Sequence, residues 1–512
     1  MHTQETTFVE GVPAKAGRRE WIGLAVIALP CLLYSMDLTV LHMAVPQLSR
    51  DLNPSATQLL WIIDIYGFMV AGFLVAAGTI GDRIGRRKML MIGAAAFALA
   101  SIAAAYSRTA EMLIVTRALL GIAGATVAPS TLSLIRNMFH DEHERTRAIS
   151  IWIMAYSLGG IIGPLVGGVL LESFWWGSVF LIAVPPMVLL LIVGPMLLPE
   201  YKDPGAGFPD MTSAVLSLAA VLATIYGIKQ FAAHGLSPAA TASFALGLAL
   251  AAVFVRRQLT LADPLIDLTL FRAPGFSGSL ATYGATVFML FGGFLFIPQY
   301  LQLVKGLSPL VAGMWSIPWA AAFVVGSSLS ATLTRHYSRA TLIAGGLVVA
   351  VLGSMMVIAF DASTSFWWFA TSNVLVALGS APVVTLTTDI VIGSAPPERA
   401  GAAGAVSETS AEFGGAAGIA VFGSIGVAAY RLALGDALPV ELPVAVAESV
   451  RSTLGAAVQA TESLPAEARA ALLESARGAF LRGMHAAAVL SAAGLALLVP
   501  FAWGTLRKRI ED

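Results

Sequence analysis

The sequence predicts an all-α membrane protein with fourteen transmembrane helices. Two observations carry that prediction. Charged residues make up only 12% of the 512 residues and hydrophobic ones 57%, whereas a soluble domain is about 25% charged. Apolar runs of about 20 residues, the length needed to cross hydrocarbon, also recur along the whole chain. The bilayer core offers no water to backbone groups, so each run must satisfy its own as a helix.

In chain order the runs cover 21–45, 57–80, 89–106, 111–135, 148–171, 176–198, 211–231, 238–256, 276–299, 309–332, 340–360, 364–392, 400–429 and 483–505. The first follows a polar stretch ending in Lys15, Arg18 and Arg19 and has no A-x-A site, so it reads as a retained helix and not as a cleaved signal. Orientation follows from Lys and Arg. Connections after even-numbered runs, with the two tails, hold twenty of them. Connections after odd-numbered runs hold four: Arg50, Arg108, Lys229 and Lys305. Setting aside the long connection 430–482, both termini are cytoplasmic. That connection reads as amphipathic helices on the outer face, from apolar residues at helical spacing.

Lys+Arg and Asp+Glu are both 30, which leaves no charge excess to attract nucleic acid. Cys31 is the single cysteine, so neither an intrachain disulfide nor a cysteine metal cluster can form. H-E-x-x-H, G-x-S-x-G and Walker sequences do not occur, and the seven histidines are scattered. No enzyme activity, metal or cofactor is expected.

A weak internal repeat sets the domain plan. GTIGDRIGRRKMLMIGA from Gly78 can be laid on SATLTRHYSRATLIAGG from Ser330, matching Arg83 with Arg335, Arg87 with Arg339 and Gly93 with Gly345. The offset spans eight runs, as two six-helix halves separated by two extra helices require. The expected division is a tail at 1–20, a six-helix bundle at 21–198, a linker and two inserted helices at 199–257, a second bundle at 258–506 containing the outer loop, and a tail at 507–512. The inserted pair carries few charges and can be read as passive packing.

Ionisable residues within spans are costly unless they face a cavity or a partner. Asp37, Asp64 and Arg117 all fall in the outer half of the membrane, at depths compatible with an acid–arginine cluster; a structural ion pair is the alternative for Arg117. Glu408 and Glu412 are four residues apart on the thirteenth span and share one face. Two carboxylates that close in low dielectric disfavour each other's charge, so the pair is expected to take up and release protons. Asp389 reads as a solvated end charge. Tyr34 and Trp61 each precede an acid by three residues and share its helix face. A π-face beside a carboxylate suits a lipophilic cation, although an interfacial aromatic belt would also explain Trp61. Trp315 and the aromatics of the ninth span are further candidates to line a cavity. Gly159, Gly163 and Gly167 recur every four residues, a small-residue seam that lets backbones approach, with Pro164 as a local break.

Six of these segments, in order, resemble the major facilitator superfamily, in its fourteen-helix drug:proton antiporter branch with the QacA-like quaternary-ammonium pumps. They are MDLTVLHMAVP (36–46), GTIGDRIGRRK (78–88), RALLGIAG (117–124), GGIIGPLVGG (159–168), GLSPLVAG (306–313) and VSETSAEFG (406–414). The resemblance implies two six-helix bundles plus two central helices in a bacterial inner membrane. It implies proton-coupled export of lipophilic cations by a monomer, with Asp37, Asp64, Glu408, Glu412 and Arg117 handling protons and cations. On this expectation, Asp64→Asn harms transport of divalent cations more than of monovalent ones. The loop of Gly78, Asp82, Arg83, Gly85, Arg86 and Arg87 would latch the two halves, and the Gly159–Gly167 seam would favour exchange over leak. An exporter of a natural metabolite, lipid or peptide with the same fold is the alternative.

Overall fold

The computed structural model describes residues 15–202, 210–261, 264, 270–272, 274–394, 400–435, 444–460 and 464–507. Among these lie fourteen helices long and apolar enough to cross a membrane, as the sequence predicts. They run Arg18–Leu52, Ala56–Ile84, Arg86–Ala105, Ala110–Met138, His143–Ser173, Ser178–Leu197, Met211–His234, Pro238–Thr260, Gly275–Val304, Pro309–Leu333, Arg339–Val357, Phe366–Gly393, Val406–Leu434 and Glu467–Arg507, and are called spans one to fourteen.

Many begin at a side-chain cap. Ser55, Thr109, Ser308, Ser338 and Ser365 each accept a hydrogen bond from the backbone three residues on, satisfying one of the donors a helix start leaves free. Span nine ends in a π-helical turn, Tyr300–Val304, whose wider winding often marks functional sites.

Spans one and five pack closely along the predicted glycine seam. A Cβ on Gly159 would fall on the Leu32 carbonyl, and one on Gly163 on the Thr39 hydroxyl. Thr39 donates across this seam to the Gly160 carbonyl, 3.1 Å away. Spans two and thirteen meet where the halves adjoin: a Cβ on Gly67 would stand 3.1 Å from that of Ala416 and 3.7 Å from the Glu412 carbonyl oxygen.

The inserted spans seven and eight form a hairpin. Span seven leans on spans two and thirteen, so it touches both halves. Its start is pinned by Asp210, which caps Ser213 and pairs with Arg257 of span eight at 3.0 Å.

Part of the outer loop departs from expectation. Val444–Ser452 and Leu454–Ala460 are separate short helices. The segment after them is not separate: one helix of 42 residues, Ala466–Arg507, joins the predicted amphipathic stretch to span fourteen. No proline or glycine pair interrupts it before Pro500, so nothing stops the helix at the membrane surface.

Candidate functional site

A cavity of about 350 Å³ lies between the halves. Its walls come from spans one, two, five, nine, ten, eleven, twelve, thirteen and fourteen, and include Ser35, Thr39, Asp64, Tyr156, Tyr283, Phe291, Phe294, Trp315, Trp319, Asn373 and Glu412. It is a mostly aromatic and aliphatic chamber with a few polar groups, the usual make-up of a small-molecule site.

Its outer side is closed by backbone contacts and bridging side chains. Gly168 of span five sits against span ten, where an added Cβ would stand 2.6 Å from the Pro309 carbonyl oxygen; one on Gly313 would stand 2.5 Å from that of Pro164. Gln302 donates to the Met43 carbonyl at 3.1 Å. Arg477 caps the π-turn of span nine through the Leu303 carbonyl at 3.0 Å, and Gln459 of the outer loop reaches the Arg50 carbonyl at 3.1 Å.

The five candidate ionisable residues separate into three groups. Asp37 is ion-paired with Arg117, both deeply buried. The guanidinium also donates to the Ile62 carbonyl at 3.2 Å and lies 4.7 Å above the Tyr66 ring. Asp64 does not join this cluster. Its partner is Lys229 of span seven, whose Nζ lies 2.9 Å from Oδ1 and 2.7 Å from Oδ2, with both side chains wholly buried. Lys229 therefore lies inside a helix at the bundle wall, and not in the outer connection where the charge count placed it.

The third group is the Glu408–Glu412 pair. Among the described residues no cation lies within ion-pair distance of either. The Tyr34 hydroxyl donates to Glu412 Oε1 at 2.6 Å, and that of Tyr156 reaches the same oxygen at 3.3 Å and also lies beside Glu408. Glu408 Oε1 is buried without a hydrogen-bond partner. Glu412 lines the cavity, and Glu408 lies one turn closer to the cytoplasm, half-buried.

The aromatic candidates also separate. Trp315 lines the cavity, with one face stacked on Phe366 at 5.0 Å. Tyr34 is fully buried behind the wall as the hydrogen-bond donor to Glu412. Trp61 faces span seven, and the Lys229 ammonium covers its ring at 3.6 Å from the centroid. The π-face and carboxylate read as a cation site thus already hold a cation.

On the cytoplasmic side, Arg86 binds Asp82 at 2.7 Å and the Pro129 carbonyl at 3.2 Å. Arg87 binds the Leu198 carbonyl at 3.0 Å and pairs with Glu200. Gly85, at φ 115°, turns the chain in a conformation that favours glycine, and Gly78 packs on Pro129. These partners lie in the N-terminal half, at the corner of spans two, three, four and six. Asp389 forms an exposed pair with Arg339 at 2.8 Å.

Sequence reasoning missed Lys229, Tyr156 and His42. His42 is buried with neither ring nitrogen hydrogen-bonded, edge-on to Phe294 at 5.3 Å. A lysine eighteen residues into a 24-residue helix was the available signal for Lys229.

Two half-bundles closed over a central chamber, with ionisable groups kept inside the membrane, are the architecture of a multi-pass membrane transporter. The model of the Major Facilitator Superfamily matches residues 27–419, and the chain belongs to that superfamily. Its relatives include multidrug efflux and drug-resistance proteins. It is 43% identical to the multidrug efflux pump LfrA of Mycolicibacterium smegmatis, over 83% of this chain and 85% of that one. It is 36% identical to the methyl viologen resistance protein SmvA of Salmonella typhimurium, over 87% and 90%. Among solved structures, a bacterial homologue of the human lysosomal transporter Spinster, inward-facing and unoccupied, superposes with a TM-score of 0.68 at 16% identity, covering 97% of this chain and 99% of that one. That likeness concerns the fold. The protein is a multi-pass constituent of a bacterial inner membrane.

Proposed function

We propose that the protein exports lipophilic cations in exchange for protons by alternating access, with Glu412 as the cavity carboxylate that holds the cation and shares protons with Glu408. One observation carries this reading. Of the acids in the outer half and the cavity wall, Asp37 and Asp64 already have resident cations, and Glu412 alone faces the chamber without one. A carboxylate in that setting is stable when it holds a proton or a positively charged guest. The surrounding rings offer π-faces to the guest. Protons arriving from outside displace it, and two half-bundles rocking about the midplane turn that competition into export.

Charge balance favours two acids over one. Exchange of one proton for one monovalent cation moves no net charge. A second proton carried by the pair would add about 2.3 kcal/mol per 100 mV of membrane potential. Likeness to LfrA, a multidrug efflux pump, and to SmvA, a resistance protein for the organic cation methyl viologen, supports this reading.

The test is ethidium export from proteoliposomes under an imposed pH gradient. The wild type should export only while the gradient stands, and Glu412→Gln should lose that component. In Glu408→Gln, binding should survive while gradient-driven export fails. Gradient-independent export by the wild type, or full activity in Glu412→Gln, would overturn the proposal. Selective export of neutral solutes would favour the metabolite exporter instead.

A further inference from the structure

We propose that Lys229 determines substrate charge: its ammonium is a tethered cation filling the Asp64–Trp61 corner, so the chamber offers one uncompensated anionic locus and selects singly charged guests. The inference rests on reading the chamber as a cation site, and it assigns a task to the inserted helices.

The corner has the parts of an organic-cation site. A carboxylate lies under the charge at 2.7–2.9 Å and an indole face lies over it at 3.6 Å, a combination that binds alkylammonium groups well when desolvated. Asp64 and Lys229 side chains are both fully buried. Asp64 is part of the cavity wall, so the corner adjoins the chamber and does not face lipid. The helix of Asp64 packs against that of Glu412: Gly67 abuts the Glu412 backbone, and Asp64 lies about one turn before Gly67 on span two, about 4.5 Å in rise. Without Lys229, Asp64 would join Glu412 as a second uncompensated carboxylate on the same cavity wall, available to the second charge of a dication.

The lysine is held in place. Span seven is capped and paired at its inner end by Asp210 and Arg257. Near its outer end, Arg431 of span thirteen binds the Ala233 carbonyl at 2.6 Å. Lys229, one turn before Ala233, is thereby fixed against spans two and thirteen, the two helices that carry Asp64 and Glu412.

This arrangement revises the expectation for Asp64→Asn. In the wild type Asp64 is already neutralised, so it is not a free anchor for a second charge. The anchor appears when the lysine is removed.

The experiment is equilibrium binding to the purified full-length protein in detergent, with tetraphenylphosphonium as monocation and methyl viologen as dication. Lys229→Gln should shift the affinity ratio toward methyl viologen by about tenfold or more, the scale of one extra charge contact in a partly buried site. Lys229→Arg, which keeps a cation on Asp64, should retain the wild-type ratio. Adding Asp64→Asn to Lys229→Gln should cancel the gain. An unchanged ratio in monodisperse Lys229→Gln overturns the proposal, as does a gain that survives loss of Asp64. If Lys229→Gln does not fold, a shifted ratio in Lys229→Arg overturns it alone. Proton coupling plays no part in this measurement, so failed gradient-driven export would sink the functional reading without touching the binding ratio.

Discussion

Gly168→Ala is a small perturbation at the point where the outer side closes. The added methyl would stand 2.6 Å from the Pro309 carbonyl oxygen and 2.9 Å from the Leu310 Cα. A tolerable carbon–oxygen contact is about 3.3 Å, so the backbones of spans five and ten must separate by about 0.7 Å. Both neighbours are backbone atoms, and no side chain can swing away to absorb the clash. Overpacking of this kind costs about 1–3 kcal/mol. That cost falls on the outward-closed state alone if the two spans part when the outer side opens. It then raises the outward-open population by between about fivefold and 150-fold. The assay is labelling by a membrane-impermeant maleimide applied from outside, at a cysteine replacing cavity residue Ser316, with Cys31→Ser removing the native thiol. Labelling should rise at least several-fold in Gly168→Ala. Unchanged labelling in a protein of normal yield and melting temperature would show that spans five and ten are not the moving outer gate.

Two further tests address stability. The Asp37–Arg117 pair is buried, and removing one partner from such a pair costs about 3–5 kcal/mol. Arg117→Met should therefore lower the melting temperature sharply, and adding Asp37→Leu should recover most of the loss; a double variant no more stable than the single one would contradict that assignment. At the inner end of span seven, burial works against the Asp210 carboxylate, but hydrogen bonds from Arg257 and Ser213 outweigh it and hold its pKa below the usual range. That stabilisation is complete above the unfolded value near 4 and is lost as pH falls through the lower folded value. Asp210→Ala, losing about 1 kcal/mol of cap, should melt lower than wild type at pH 6, with the difference shrinking below about pH 3; a constant difference down to pH 2.5 would refute the assignment.

Much of the fold was legible because hydrocarbon imposes a single rule. Every apolar run of sufficient length must be a helix, and all fourteen are. Ends were less legible. Span fourteen begins well before 483 because its amphipathic lead-in contains no proline and only isolated glycines, and hydropathy registers where lipid begins, not where a helix starts. In the site, depth arithmetic placed Asp37, Asp64 and Arg117 in one layer. Which acid takes the arginine depends on rotation about each helix axis, and apolar runs with acids at single positions leave that angle open. Lys229 went unrecognised for a related reason. Near the end of a run, a lysine that turns inward to a carboxylate has the same local sequence as one that snorkels outward. Asp64 with Trp61 three residues before it was expected to take a lipophilic cation; the cation lying there is Lys229 from another helix, which no local pattern could supply.

The 42-residue helix that closes the chain has a mechanical consequence. At 1.5 Å per residue it is a rod about 63 Å long, twice the roughly 30 Å of hydrocarbon it crosses. Its upper half is a mast rising from the C-terminal half-bundle. If that bundle tilts by about 10° about the midplane, the masthead, about 42 Å above it, swings through roughly 7 Å by simple leverage. A motion of a few ångströms at the chamber is thus magnified above the membrane, where a fluorophore on Arg469 would report each stroke of the cycle.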